Sequence, residues 1–172
     1  MTKIRRDPIE ALGEAYELML ERAMEGFRKL TGKSGPALHE EIDKARDTAV
    51  ERGELSQEDA DKVAGYLKRD LGHAARYRSE TGKELKDWLG FEVDLIENEI
   101  FDLFMQAADK TTVELLELKE MAELASTYHT GEIAGPGTLV CENCGEKLHF
   151  RKAGRIPPCP KCHGTVFRRP EQ

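Results

Sequence analysis

Cysteine is scarce in this chain of 172 residues, and all four cysteines fall between positions 141 and 162. Long apolar runs are also missing, since no stretch of about 20 apolar residues could span a bilayer. The amino terminus has the basic start of a signal peptide, but Glu14, Glu17 and Glu21 interrupt what would be its apolar core. We therefore expect a cytoplasmic protein with no membrane contact, and thiols stay reduced in that compartment.

Positive charge is sparse outside the carboxyl-terminal part of the chain. The formal net charge is −7 at pH 7, whereas residues 141–172 hold seven Lys and Arg against three acidic residues. Four thiolates on one divalent ion would remove part of that local excess. The asymmetry predicts two modules, an acidic helical domain at residues 1–126 and a linker with a basic module at residues 127–172.

Apolar residues recur every three or four positions through the acidic part, which predicts amphipathic helices. The first helix should end at Gly32, the second near Gly53, and the third should begin after Ser56 as its N-cap. Their apolar stripes are Ile9, Leu12, Tyr16, Met19, Ala23, Phe27 and Leu30, then Leu38, Ile42, Ala45 and Ala49, then Ala60, Val63, Leu67, Leu71 and Ala74.

Two further helices are expected after Thr81 and Gly82. The first keeps a period close to 3.5, which is the seam of a coiled-coil-like packing. Their apolar positions are Leu85, Leu89, Val93, Ile96, Ile100, Leu103 and Ala107, followed by Val113, Leu116, Met121 and Leu124. Because each helix must bury one stripe and the connections are short, we expect an elongated antiparallel hairpin or bundle of four or five helices. The predicted fold class is mainly α with a small C-terminal β unit.

The helical part offers no set of groups that indicates catalysis. It has no nucleophile–base pair, phosphate-binding loop or H-E-x-x-H motif, and it lacks the Glu-x-x-His pairs of a carboxylate di-metal site. His39 and His73 lie among charged helical residues, so we expect both to be solvated surface side chains. We expect no enzymatic activity.

The four cysteines form two C-x-x-C pairs separated by 14 residues, namely Cys141, Cys144, Cys159 and Cys162. A thioredoxin-like motif would have one pair in a βαβ setting, and a disulfide framework needs an oxidising compartment. Two C-x-x-C turns instead suit a tetrahedral site of four sulfurs, which favours zinc, with iron as the usual competitor. We predict one structural zinc ion bound by all four cysteines.

Polar and apolar residues alternate at positions 147–156 and 165–169, which predicts the short strands of a zinc ribbon. A unit this small usually needs a metal, whose binding would supply on the order of 10 kcal/mol of folding free energy. Gly145 follows the first pair, where a positive φ is useful. Four sulfurs leave no position open for water, so a catalytic zinc is not expected and neither His149 nor His163 should be a ligand.

The linker before the cysteines can form strands at residues 127–130 and 138–140. The run Y-H-x-G-E-x-x-G-x-G-x-L-x-C-x-x-C at residues 128–144, with C-P-x-C at 159–162, resembles the YbeL-like family of bacterial zinc-ribbon-containing proteins. The resemblance implies a helical front, a four-cysteine ribbon and no established activity. We expect Tyr128, His129 and Glu132 to hold the linker by hydrogen bonds, in preference to an acid–base role.

The favoured function is a non-enzymatic binding or regulatory protein that docks on a large assembly such as RNA polymerase or the ribosome. The layout is similar to that of the DksA-type regulators, in which an acidic helical hairpin is joined to a four-cysteine zinc module and its tip enters the polymerase. The corresponding turn here carries Glu54, Glu58, Asp59 and Asp61.

Two alternatives stay open. The ribbon could bind nucleic acid, with Phe150 and Phe167 either stacking on bases or filling its small core. The helices could instead self-associate along the seam at residues 85–107, giving a homo-oligomeric structural protein. The basic residues available to a nucleic acid or a protein partner are Lys147, Arg151, Lys152, Arg155, Arg168 and Arg169.

Overall fold

The computed structural model describes residues 8–30, 35–81, 102–107 and 127–170. Three helices come first: α1 (Pro8–Arg28), α2 (Gly35–Glu51) and α3 (Gln57–Thr81). These helices confirm the three predicted from the apolar period. Residues 102–107 are also helical, whereas the remainder of the predicted seam at residues 85–101 and the predicted last helix at 113–124 lie outside the described residues.

The connection between α2 and α3 follows the predicted helix signals. Gly53 has a φ of +69°, and the backbone N–H of Glu54 donates to the carbonyl oxygen of Ala49 at 2.9 Å. Glycine adopts this left-handed conformation without a Cβ clash, so it ends α2. Ser56 then caps α3, because its Oγ accepts a hydrogen bond of 3.1 Å from the N–H of Asp59.

The three helices share one apolar core, and α1 contributes the side chains of one face to it. Phe104 and Ala107 are fully buried in the same core, so the short helical segment at residues 102–107 packs on the bundle. The buried helical residues of this core are Tyr16, Met19, Leu20, Ala23, Met24, Phe27, Leu38, Ile42, Ala45, Val63, Ala64, Leu67, Leu71, Ala74, Tyr77, Phe104 and Ala107.

Six short strands follow the helices: β1 (Tyr128–His129), β2 (Ile133–Ala134), β3 (Gly137–Cys141), β4 (Lys147–Phe150), β5 (Gly154–Arg155) and β6 (Val166–Arg168). Four strands form an antiparallel sheet in the order β1-β6-β3-β4, and β2 pairs with β5 separately. The predicted small β unit is therefore confirmed. Its own core contains Tyr128, Ala134, Leu139, Cys141, Ile156, Cys159 and Phe167.

The β unit packs directly against the helices. Ile133 of β2 and Ala153, just before β5, are buried in the helical core. A Cβ at Gly13 of α1 would lie 2.6 Å from the carbonyl oxygen of Ala153, so only glycine permits this approach. Glu17 of α1 also accepts a hydrogen bond of 3.2 Å from the N–H of Ala153. The division at residues 126 and 127 stays a prediction, but the two parts share one packed surface.

Among the described residues, no helix combines the length and the hydropathy that crossing a membrane requires.

Candidate metal centre

The four cysteine sulfurs converge on one point. The Sγ atoms of Cys141 and Cys162 lie 3.6 Å apart, and those of Cys144 and Cys159 also lie 3.6 Å apart. All four sulfurs lie within 4.8 Å of one another. A tetrahedron with zinc–sulfur bonds of about 2.3 Å has edges of about 3.8 Å, so this arrangement fits a single zinc ion.

The two cysteine pairs sit in turns with the same backbone pattern, which we call the first knuckle (Cys141–Cys144) and the second knuckle (Cys159–Cys162). The N–H of Gly145 donates to the carbonyl oxygen of Cys141 at 2.9 Å, and the N–H of His163 donates to that of Cys159 at the same distance. Gly145 has a φ of +78° and His163 a φ of +64°. The positive φ expected at Gly145 is confirmed, while the second knuckle places a histidine in that conformation.

Gly164 provides the close approach that the sulfurs require. Its N–H donates to the Sγ of Cys162 at 3.4 Å. A Cβ at this position would lie 3.2 Å from the sulfurs of both Cys141 and Cys162. A side chain there would press on two ligands at once, so the glycine keeps the space around the metal site open.

The thiols differ in acidity even before a metal charge is considered. The Asn143 side chain, followed by the N–H of Gly164, lowers the pKa of Cys162 to about 6 by hydrogen bonding to its sulfur. The pKa of Cys144 is raised to about 12: the backbone of Glu146 lowers it, but burial and the neighbouring sulfurs outweigh that bond. The four thiols differ because neighbouring thiolates repel each other, so they cannot all ionise easily. A divalent cation between them compensates that negative charge.

Four sulfurs complete a tetrahedral shell, so the zinc holds the two knuckles together and has no open position for a substrate. Among the described residues, the cysteines are the group arranged to bind a metal. His149 is engaged elsewhere, since its Nδ1 lies 3.0 Å from the Oγ1 of Thr138.

The basic residues predicted as partner contacts separate into two sets. Lys147, Arg151, Lys152 and Arg155 are exposed on the ribbon, and Arg168 is half-buried.

Arg169 is buried, with a side chain 5% exposed. Its guanidinium donates from Nη2 to Asp70 at 3.3 Å and from Nε to the Tyr128 hydroxyl at 3.2 Å. The prediction that Arg169 is a contact residue is therefore wrong, because the side chain is directed into the protein. Phe167 is also fully buried, so it fills the core and is not available for base stacking.

The acidic residues predicted at the helical tip are largely paired within the chain, and the structure places Glu54 before α3 but Glu58 and Asp61 in its first turns. Glu54 accepts two hydrogen bonds from Arg22 at 2.8 and 2.7 Å. Glu58 accepts one from Lys62 at 2.8 Å, and Asp61 accepts one from Gln57 at 3.0 Å. The contacts of Glu58 and Asp61 are exposed and weak, so they leave these two carboxylates available to a competing partner. The bidentate bond from Arg22 is stronger and occupies both oxygens of Glu54.

Asp59, the fourth acidic residue predicted at this tip, is half-buried. Its backbone N–H is the group that Ser56 caps. Asp59 therefore lies in the first turn of α3 and takes part in its cap through the backbone.

The two helical histidines are less solvated than predicted. Both are half-buried. The Nε2 of His39 is enclosed without a hydrogen-bond partner among the described residues, and burial, followed by the charge of Lys68, lowers its pKa. The ring of His73 lies 5.6 Å from that of Tyr128. The prediction of solvated surface side chains is therefore wrong, because the Nε2 of His39 is enclosed and the ring of His73 lies against Tyr128 of β1.

A buried polar cluster joins the helices to the ribbon, and the sequence did not predict it. Asp70 of α3 is fully buried. Its Oδ2 accepts hydrogen bonds from the Tyr16 hydroxyl at 2.6 Å and the Gly135 N–H at 2.8 Å. Its Oδ1 accepts a hydrogen bond from the Tyr128 hydroxyl at 2.7 Å, in addition to the bond from Arg169. The carboxylate is therefore surrounded by donors from α1, the linker and the ribbon.

Arg69 extends this cluster towards the surface. It donates from Nη1 to Glu132 at 2.8 Å and from Nη2 to the carbonyl oxygen of Ile133 at 3.0 Å. Its guanidinium carbon lies 3.8 Å from the centroid of the Tyr128 ring, a cation–π contact. Tyr128 and Glu132 thus hold the linker on the helices, as expected from the sequence. His129 contributes its backbone N–H, which donates to Glu132 at 3.0 Å.

The electrostatic balance of the cluster keeps Asp70 ionised. Burial disfavours its charged form, but Arg69, Arg169, the Tyr16 hydroxyl and the Gly135 N–H together outweigh burial and lower the pKa of Asp70. Two arginines face two carboxylates, Asp70 and Glu132, so the buried charges are paired.

A helical front and a closed four-sulfur site on a small antiparallel sheet define a zinc-ribbon protein. The chain belongs to the family described as "Zinc-ribbon containing domain", whose model matches residues 25–171. It is 32% identical over 130 residues to the protein named "Uncharacterized protein YbeL" of Escherichia coli strain K12, an alignment that covers 75% of this chain and 80% of that protein.

The YbeL proteins of E. coli O6:H1 and O157:H7 match with the same identity and coverage. No solved structure matches the chain. The resemblance noted in the sequence is confirmed, and together with the sulfur geometry it gives one structural zinc per chain.

Proposed function

We propose that this zinc-ribbon protein is a non-enzymatic binding factor that docks through its ribbon on a large assembly such as RNA polymerase or the ribosome. The observation that carries the proposal is the attachment of the ribbon to the helices through buried hydrogen bonds. The buried Asp70 cluster fixes its direction, so the ribbon presents a surface of defined position. A closed metal site suits recognition, because its ion offers no open position for chemistry.

The exposed face of the ribbon has the charge that such docking would use. Lys147, Arg151, Lys152 and Arg155 are exposed on β4, β5 and the loop between them. The helical part is acidic, so the sign of the charge differs between the ribbon and the helices. Such charges act mainly on the association rate and the choice of partner.

Crosslinking and affinity capture with the zinc-loaded full chain test this function. The comparison uses a Lys147→Gln/Arg151→Gln/Lys152→Gln variant and a control, Lys29→Gln/Lys44→Gln/Lys62→Gln, which removes the same number of exposed charges from the helical part. We expect the wild type and the control to retain a specific polymerase or ribosomal protein, and the ribbon variant to lose it. Recovery of no such protein by the wild type, or equal recovery by all three chains, would count against docking through the ribbon.

Nucleic-acid binding by the ribbon is the second candidate, favoured by the same exposed lysines and arginines. Arg169 and Phe167, which the sequence offered for contacts with phosphates and bases, are buried, so this candidate has fewer contact residues than expected. Titration of labelled DNA and RNA at two salt concentrations separates the candidates. Tight binding at physiological salt that the ribbon variant loses would favour nucleic acid, whereas binding only at low salt and without preference would exclude it as the function.

Self-association through the predicted seam is a third proposal. Light scattering after size-exclusion chromatography tests it, since a monomer at all concentrations would contradict it.

A further inference from the structure

We propose that Arg69 and Asp70, neighbours on α3, are positioning residues for the zinc centre. Each connects to a different cysteine knuckle, so the helical bundle sets the zinc affinity of the ribbon although neither residue is a ligand. This inference concerns the metal site and is independent of the docking function.

The route from Asp70 leads to the first knuckle. Asp70 binds Tyr128 of β1 and Arg169, which directly follows β6. Tyr128 pairs with Phe167 between β1 and β6, and Phe167 pairs with Cys141 between β6 and β3. Tyr128, Phe167 and Cys141 lie buried in one core cluster. A displacement of Asp70 therefore reaches a zinc ligand through two adjacent strand pairs.

The route from Arg69 leads to the second knuckle. Arg69 binds the Glu132 carboxylate and the Ile133 carbonyl oxygen. The backbone oxygen of Glu132 accepts a hydrogen bond of 2.8 Å from the N–H of Ile156. Ile156 is fully buried in the cluster that also contains Cys159, three residues further along the chain. Arg69 thus orients the segment that enters the second knuckle.

The two routes meet in the site, because a tetrahedral shell needs both knuckles in place at once. When the helices hold β1, β6 and the segment before Cys159, zinc finds its ligands partly assembled and less conformational entropy is lost on binding. By linkage, zinc must stabilise the Arg69–Asp70 contacts to the same extent that those contacts favour zinc.

The test measures zinc affinity of the full chain by competition with a chromophoric chelator. The variants are Asp70→Asn and Arg69→Met. The controls are Asp43→Asn and Lys68→Met, which break a 2.6 Å ion pair between α2 and α3 that does not involve the ribbon. A coupling of typical size changes affinity about 5- to 150-fold, so we expect zinc affinity to fall by about tenfold in both variants. The controls should stay within about twofold of the wild type. Affinities of the variants equal to those of the controls would overturn the proposal.

A second measurement covers the case in which Asp70→Asn does not fold. Hydrogen exchange of the wild-type chain, with zinc and after chelation, should show that α3 around Arg69 and Asp70 loses protection when zinc leaves, while α2 changes much less. Tyr16→Phe, which removes one bond to Asp70, should reduce that difference. If Tyr16 and Asp70 only stabilised the fold, Tyr16→Phe would lower the exchange protection of α3 by the same amount with and without zinc. That result would contradict a positioning role at the metal site.

Discussion

The Oδ1 oxygen of Asp70 accepts a hydrogen bond of 2.7 Å from the hydroxyl of Tyr128. Both side chains are fully buried, so the bond joins α3 to β1 in a place that water does not reach. A buried hydroxyl or carboxylate that loses its hydrogen bond cannot turn to water, so any other placement of β1 on α3 carries a free-energy penalty. The ribbon is therefore held at one orientation on the helices.

Tyr16→Phe should lower the free energy of unfolding of the zinc-loaded chain by about 1–3 kcal/mol, because it deprives Asp70 of a buried donor. Urea denaturation followed by circular dichroism measures the change. The control is Tyr66→Phe, on the half-buried surface of α3, which should stay within about 0.5 kcal/mol of the wild type. Equal stabilities of the two variants would argue against a special role for the Tyr16 hydroxyl.

Gly164→Ala and Gly65→Ala should have opposite effects on stability. A Cβ at Gly164 would lie 3.2 Å from two ligand sulfurs, whereas a Cβ at Gly65 meets no atom within 4 Å. We expect Gly164→Ala to lower the free energy of unfolding by about 1–3 kcal/mol through overpacking. Gly65→Ala should raise it by about 1 kcal/mol, since alanine is the better helix former. Thermal unfolding of the zinc-loaded chains checks both, and a tolerated Gly164→Ala would show that the sulfurs have room to move.

His163→Gly should stabilise the chain and leave its zinc content unchanged. His163 has a φ of +64°, a conformation that costs a non-glycine residue about 1–2 kcal/mol. Relief of that strain should raise the free energy of unfolding by up to about 1 kcal/mol. Metal analysis of the same preparation provides the second readout. Loss of zinc on substitution would make His163 a ligand and would contradict the four-cysteine shell.

Alkaline titration should show that the buried tyrosines ionise only as the chain unfolds. Burial, followed by the charge of Asp70, raises the pKa of Tyr16. Burial also raises the pKa of Tyr128, although Arg169 opposes it. Tyrosine in an unfolded chain ionises near pH 10, so the stability from these groups is complete below about pH 10 and falls as pH rises further.

Phenolate absorbance and helical circular dichroism, recorded on the same samples, measure this coupling. We expect part of the absorbance change to coincide with the loss of helix, and Tyr16→Phe to reduce that part. A full phenolate signal while the helices remain intact would contradict the burial of these side chains in solution.

Local sequence signals are sufficient for the three helices α1, α2 and α3 and for the metal site. The apolar period places α1, α2 and α3, and Gly53 and Ser56 mark the turn because their roles depend on neighbouring backbone atoms. The C-x-x-C spacing predicts the zinc site for the same reason, since each knuckle closes over a few residues. Helix caps and metal-binding turns are formed by residues a few positions apart, so they can be recognised in the sequence.

The Asp70 cluster could not be predicted in this way. Asp70 accepts hydrogen bonds from Tyr128, 58 residues away, and from Arg169, 99 residues away. The available signal was its position three residues after Leu67 and four before Ala74, on the apolar stripe of α3. A charged residue on such a stripe requires a buried partner. The sequence does not show which residue is that partner, so it does not distinguish the buried Arg169 from the exposed arginines of the ribbon.

Native mass spectrometry of the purified, reduced full chain shows whether the four cysteines hold one structural zinc. We expect one zinc ion per wild-type chain and none on the Cys141→Ser/Cys144→Ser variant. A wild-type chain without stoichiometric metal, or a double variant that still retains its zinc, would contradict that expectation.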